Sequence, residues 1–555
     1  MQKTCNQCST SYEIYDDDKA LLHKISPTIG GRKFEIPVSD ICPECRQQRR
    51  MSFRNERKLY RRKCDVTGKD IISIFSSDSL FKVCDKDYWY SDKFDPLEYG
   101  RDYDFNRPFF EQFKDLSLTI PMPSMRVERS ENCDFNNDMG DCKNCYLCAR
   151  THQSQDLIYT YRGNRSSSSI DCTQITRSEI LYECVDCVKC YNCKYSFFCS
   201  ECTDCSFLLD CRSCMSCFMC TNLRSKQYCF LNEQLTKEEY EKRLSEFNFG
   251  SYDHVQRAYK MYADIKKKAI RRNLIKVNAN NSTGDNLIDC NNCHMCFSTQ
   301  FTEDGRYLWD VKDYKDSMDA YSGGRNSELM YYTTAGAASY SVQFCFRTSG
   351  CNDVLYSFYI NTSKNIFGSI GLKRGNFCIL NKEYTEDEYN DLMPKIIDHM
   401  ISTGEWGKFF PSSLCPFAYN ETVADEFFPL DKGRANDLGY RWKEDDPKDF
   451  MPQTYNIPNN ISDVKDDILN EVLACDTCNK NYKIVPAELK FYRNHNLAIP
   501  RYCIDCRHMR RNKTKNPMRI RKDICKKCNS EMDTTYPEGT DMQIICDDCY
   551  LKEVY

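Results

Sequence analysis

Histidine is scarce in this chain: seven residues in 555, beside 38 cysteines. Any metal site must therefore be built mainly from sulfur. Long apolar runs are missing, and the mean hydropathy of −0.67 leaves no segment that would span a membrane as a helix. Neither sign of charge dominates. The formal net charge is −4 with 28% charged residues, so a nucleic-acid partner would have to be held by local basic patches. Met1 to Cys8 carries no basic and apolar leader, which predicts a cytoplasmic protein with thiols rather than disulfides. There is no Gly-rich phosphate loop, no His-rich metal motif and no recognisable Cys–His pair. No catalytic residue is assigned, and binding is expected over catalysis.

What is present is cysteine at a fixed spacing. From Glu183 to Cys229 it recurs every third residue, at Cys184, Cys187, Cys190, Cys193, Cys199, Cys202, Cys205, Cys211, Cys214, Cys217 and Cys220. One row, Cys187 to Cys217, has a period of six. A helix of 3.6 residues per turn rotates such a row off any one face. A β-solenoid returns it to the interior, so a coiled, cysteine-lined wall is expected.

The plan then repeats. Asp289 to Cys296 matches Asp141 to Cys148 at an offset of 148, and Cys378 to Tyr389 matches Cys229 to Tyr240 at 149. Both copies close on a capping box, Thr236 with Glu239 and Thr385 with Glu388, which predicts a helix after each lobe. A basic helix is expected over 253–276. Carried across at 149, Cys184, Cys187, Cys190 and Cys193 become Thr333, Gly336, Ser339 and Val342. A narrow interior that accepts small side chains explains this, with cysteine acting as a small hydrophobe. A metal or cluster ladder in the first lobe is the alternative.

Paired knuckles stand at both ends. Cys5 and Cys8 face Cys42 and Cys45; Cys475 and Cys478 face Cys503 and Cys506; Cys525 and Cys528 face Cys546 and Cys549. Each set offers four thiolates with zinc-site spacing, so about three zinc ions per chain are expected. Cys64 and Cys84 look like half of a further ribbon, with Thr67 and Asp87 where ligands would stand. Threonine is a poor ligand, which leaves a fourth zinc in doubt and favours a ribbon kept by packing.

A basic segment follows Cys45, and another follows Cys506. Residues 46–63 hold nine Arg or Lys in eighteen, including Arg46, Arg49, Arg50, Arg54, Arg57, Lys58, Arg61 and Arg62. Residues 507–524 hold eight, including Arg507, Arg510, Arg511, Lys513, Lys515, Arg519 and Arg521. These are the candidate contacts to a phosphate backbone, with RNA or a ribonucleoprotein as partner. The other reading is a solvated basic helix bridging two ribbons.

Leu473 to Tyr492, followed by Ala498-Ile-Pro-Arg-Tyr-Cys-Ile-Asp-Cys-Arg507, resembles the probable zinc-ribbon domain family. The resemblance implies zinc held by Cys475, Cys478, Cys503 and Cys506, and no activity. Ser413 to Ala424 and Gly439-Tyr-Arg-Trp442 carry a wider likeness to large cysteine-rich zinc-ribbon proteins of candidate-phyla bacteria.

The expected fold is mainly β with helical caps: a duplicated β-solenoid-like body flanked at both ends by paired zinc ribbons. Residues 1–63 would be the first ribbon and basic segment, and 64–127 the degenerate ribbon and an aromatic linker. Lobes follow at 128–280 and 281–405, then an aromatic strap and linker at 406–470. Residues 471–524 would be the third ribbon with its basic segment, and 525–555 the fourth. Three functions are carried forward: a non-catalytic nucleic-acid binder, a structural or assembly scaffold that could form a homodimer, and a metal store or redox protein using the cysteine wall.

Overall fold

In the computed structural model, residues 1–444 and 450–555 are described; residues 445–449, part of the strap and linker expected over 406–470, lie outside them. Strands dominate, with twelve α-helices among the described residues. The chain forms two compact units that cut across its linear order. One is Met1–Met125 with Leu274–Glu444, the other Arg126–Asn273 with Asp445–Tyr555.

Each unit contains a stack of short parallel strands. In the second unit Asn137 pairs with Ala149, Ala149 with Tyr161, Tyr161 with Thr173 and Thr173 with Val185. The chain therefore returns to the same register every twelve residues. The row with a period of six marks half of that step. Every third residue points inward: Cys184, Cys187, Cys190, Cys193 and Cys199 are all 0–2% exposed. The residue before each inward one is left-handed, as at Asp186 (φ 52°), Lys189 (φ 53°) and Asn192 (φ 48°). Left-handed backbone at every third residue bends the chain at short intervals, which keeps each straight run to a few residues.

Inward side chains meet backbone carbonyls. Cys184 Sγ lies 3.4 Å from the carbonyls of both Tyr182 and Cys193 and donates to them. Ser178 Oγ donates to Thr176 (3.0 Å) and Cys187 (3.4 Å) in the same way. In the first unit Thr299 Oγ1 repeats the pattern to Phe297 (3.2 Å) and Leu308 (3.4 Å). A small side chain with one hydrogen to donate satisfies this position whether the atom is sulfur or oxygen.

The first unit's stack pairs Gly284 with Cys296, Tyr340 with Asn352, and Asn352 with Lys364. One step differs: Tyr314 pairs with Ser327 and Met318 with Tyr331, thirteen residues on. Two consecutive left-handed residues, Arg325 (φ 65°) and Asn326 (φ 48°), take up the extra residue at a bend. This insertion accounts for the change of repeat offset from 148 to 149. Both stacks end in an antiparallel return, Cys229 with Gln234 and Cys378 with Glu383.

Helices follow as the capping boxes predict, at Lys237–Ser245 and Glu386–Ser402. The basic helix is shorter than expected. It runs Tyr252–Lys268, after which Ile270–Arg272 becomes a strand paired in parallel with Gln543–Ile545. The aromatic segment after residue 405 fills the first unit's core. Tyr332 stacks on Phe409 at 4.5 Å, and Phe410 lies 4.6 Å from Phe358. Asn420 and Glu421 are structural there: Asn420 bonds the backbone of Lys443 in both directions, and Glu421 accepts from the Ala418 amide at 2.7 Å.

Candidate metal centres

The knuckle sequence builds its own ligand cage. Cys42, Cys503 and Cys546 are each the N-cap of a helix, Pro43–Ser52, Ile504–Asn512 and Asp547–Val554. Pro43 takes the first helical position, where a missing N–H costs nothing. A helix N-terminus favours negative charge, so it favours the thiolate. Backbone amides add to this. Cys5 Sγ accepts from Gln7 (3.4 Å) and Cys42 (3.2 Å); Cys525 Sγ accepts from Lys527 (3.5 Å) and Cys546 (3.2 Å).

Three sets of four sulfurs converge within 4.8 Å: Cys5, Cys8, Cys42, Cys45; Cys475, Cys478, Cys503, Cys506; and Cys525, Cys528, Cys546, Cys549. Each can hold a metal ion. Four thiolates in tetrahedral reach, with amide donors behind them, fit zinc by donor chemistry. In the first set the hydrogen bond between Cys42 and Cys45 lowers the pKa of the Cys42 thiol and raises that of Cys45. Cys64 keeps the amide cradle, accepting from Thr67 (3.2 Å) and Asp85 (3.3 Å). Yet Cys64, Thr67, Cys84 and Asp87 form no fourth set among the described residues.

The basic segments are placed otherwise than expected. Arg46 Nε and Arg50 Nη1 each lie 2.8 Å from a different oxygen of Asp319, all within one unit. In the other unit Arg507 and Arg511 close on Asp171 in the same manner, Arg511 at 3.0 Å. Both arginine pairs directly follow the fourth cysteine of a set and sit four apart on a helix, hence on one face. The two aspartates are 148 positions apart (319 − 171) and both precede inward residues. A second matched contact reinforces each. Tyr307 donates to Asp18 at 3.1 Å, and Tyr159, 148 positions earlier, donates to Glu488 at 3.0 Å. Asp18 and Glu488 are each the third residue of a helix.

These arginines are buried: Arg50 and Arg507 are 0% exposed, Arg54 1% and Arg511 2%. Arg54 pairs with Glu56 at 2.8 Å. The assignment of Arg46, Arg50, Arg54, Arg507 and Arg511 to a phosphate backbone is therefore corrected. Their charge is spent on a carboxylate inside the protein. Arg49 bonds Gln7 (3.0 Å), Arg62 pairs with Asp65 (2.8 Å), Arg510 with Glu183 (2.8 Å) and Arg521 with Asp523 (2.6 Å); Lys515 reaches Gln174 at 3.2 Å. Arg57 is half-buried, while Lys58, Arg61, Lys513 and Arg519 are exposed. The partners Asp171, Asp319, Asp18 and Glu488 are absent from the sequence-based assignment. The matched signal was available: an aspartate kept at the repeat offset, and an arginine pair kept at a spacing of four.

No family model and no curated protein matches the chain. One solved structure, named for an acetyltransferase of Desulfovibrio desulfuricans G20, aligns over 47% of this chain and 69% of its own at 6% identity, with a TM-score of 0.10. That likeness carries no argument. No helix among the described residues is long and apolar enough to cross a membrane.

Proposed function

We propose that the protein is a non-catalytic, zinc-stabilised scaffold, in which each twelve-residue stack is a β-solenoid and the zinc ribbons are docked onto it. The observation that carries this reading is the repeated clamp. Two arginines from a ribbon helix hold one stack aspartate in each unit. Arg46, Arg50, Arg507 and Arg511, expected to serve a nucleic-acid binder, instead fix ribbon to stack. Long regular side walls are what a scaffold offers to partners, and a homodimer remains one such assembly.

Metal removal tests it. Elemental analysis should give three zinc ions per chain, matching the three cysteine sets. A strong chelator should expose residues 1–63 and 471–555 to protease while the β-rich circular dichroism persists. Loss of both together, or iron in place of zinc, would count against the scaffold.

A nucleic-acid role now has the exposed Lys58, Arg61, Lys513 and Arg519 to support it. Salt titration of RNA binding separates the two. A scaffold reading expects weak binding that is indifferent to changing these four to Ser. Affinity falling roughly a thousandfold from low to moderate salt, and lost in that variant, would favour the nucleic-acid reading.

A further inference from the structure

The second unit's stack has an interior unlike the first unit's. Three consecutive turns place thiols in three columns: Cys187, Cys199 and Cys211; Cys190, Cys202 and Cys214; Cys193, Cys205 and Cys217. All nine are 0–2% exposed. Each thiol is surrounded by others. Cys202 lies beside Cys190, Cys199 and Cys214, and Cys217 beside Cys205, Cys214 and Cys220. Members of a column sit one strand step apart, about 4.8 Å by sheet geometry.

The fold does not require this sulfur. Over the matching turns the first unit's stack holds only Cys345 and Cys351, with Ser339, Val342, Val354, Ile360 and Ile366 in other inward positions. Ser178 and Ser196, inward in neighbouring turns, donate to carbonyls as the cysteines do. Nine contiguous thiols thus exceed what packing or hydrogen bonding asks for.

Their geometry also discriminates among metals. The ribbon sulfurs converge as sets of four within 4.8 Å, whereas among the described residues no three thiols of the wall converge in that way. Zinc and iron–sulfur clusters need four converging ligands. A column instead supplies pairs of thiols across successive turns. Soft, low-coordinate cations accept as few as two thiolates, and copper(I) is the biological member of that class.

We propose that the nine-thiol grid Cys187–Cys217 is a binding site for a soft monovalent cation of the copper(I) class. The cation enters already reduced. Each ion displaces the protons of the thiols it joins, and a thiolate shared between two ions in a column limits the buried charge.

The test is an anaerobic titration of the zinc-loaded full chain with copper(I), against a chromogenic copper(I) chelator, with zinc release followed in parallel. Several copper(I) ions should bind with zinc retained. Changing Cys190, Cys202 and Cys214 to Ser, the residue already inward at 178 and 196, should remove about a third of the uptake, three of nine thiols. If that variant loses its β-rich circular dichroism, Cys202→Ala alone replaces it, with a smaller loss expected. X-ray absorption at the copper edge should show two sulfur neighbours. Copper uptake that equals zinc released, more than two sulfur neighbours, uptake unchanged in the variants, or no uptake would each overturn the proposal.

Discussion

Asp319 receives two guanidinium groups in a buried site. Removing one partner of a buried ion pair costs about 3–5 kcal/mol, because the remaining charge stays desolvated. Asp319→Asn and Asp171→Asn should each destabilise their unit by that order, measured by denaturant unfolding. A change below about 1 kcal/mol would mean the arginines find water instead. His294 gives a second test at this scale. Its ring lies 4.8 Å from Tyr15 and 5.6 Å from Tyr307. Burial, then the charge of Arg306, lowers its pKa from 6.5, with Asp18 opposing. A depressed histidine contributes stability that is present above the unfolded value and lost as pH falls through the folded one. His294→Phe keeps the ring but removes the titration. The wild type should therefore lose ground to the variant as pH drops below about 6.5, seen as a closing gap in melting temperature. A gap that does not vary with pH would exclude this.

At the scale of elements, the knuckles were legible because C-x-x-C fixes two ligands by covalent spacing alone. The capping boxes were legible because both partners lie within one turn. The length of a stack turn was not, since cysteine in most inward slots hides which slots are equivalent. The bends did leave a trace. Asp141, Asn144, Asp171, Asp186, Asn192, Asp204 and Asp210 each precede an inward cysteine and are left-handed, and Asn and Asp tolerate that backbone best. Arg46 and Arg507 were misjudged because composition cannot tell a basic surface from a basic face turned onto a buried carboxylate. The degenerate ribbon offers an engineering test. Cys64 retains both amide donors, so the cage is short of ligands rather than misfolded. Thr67→Cys with Asp87→Cys should raise zinc from three to four per chain by elemental analysis. Unchanged content would mean the ribbon has drifted from ligand geometry.

On the scale of the whole molecule, the duplication is one of complete units, not of stacks alone. The N-terminal ribbons clamp the second stack in sequence, and the C-terminal ribbons clamp the first. The same chemical groups recur in the same roles: Arg46 and Arg50 with Asp319, Arg507 and Arg511 with Asp171, Tyr307 with the carboxylate of Asp18, Tyr159 with that of Glu488. If each unit is held by its own clamp, damage should stay local, because contacts that share no partner act additively. Hydrogen exchange reads this directly, since opening of one cooperative part speeds exchange there and not elsewhere. Asp319→Asn should speed exchange across residues 1–125 and 274–444. Asp171→Asn should do so across 126–273 and 450–555. Fast exchange spreading through both sets from either change would mean that the chain opens as one cooperative body, and the clamps could not then be assigned to separate units.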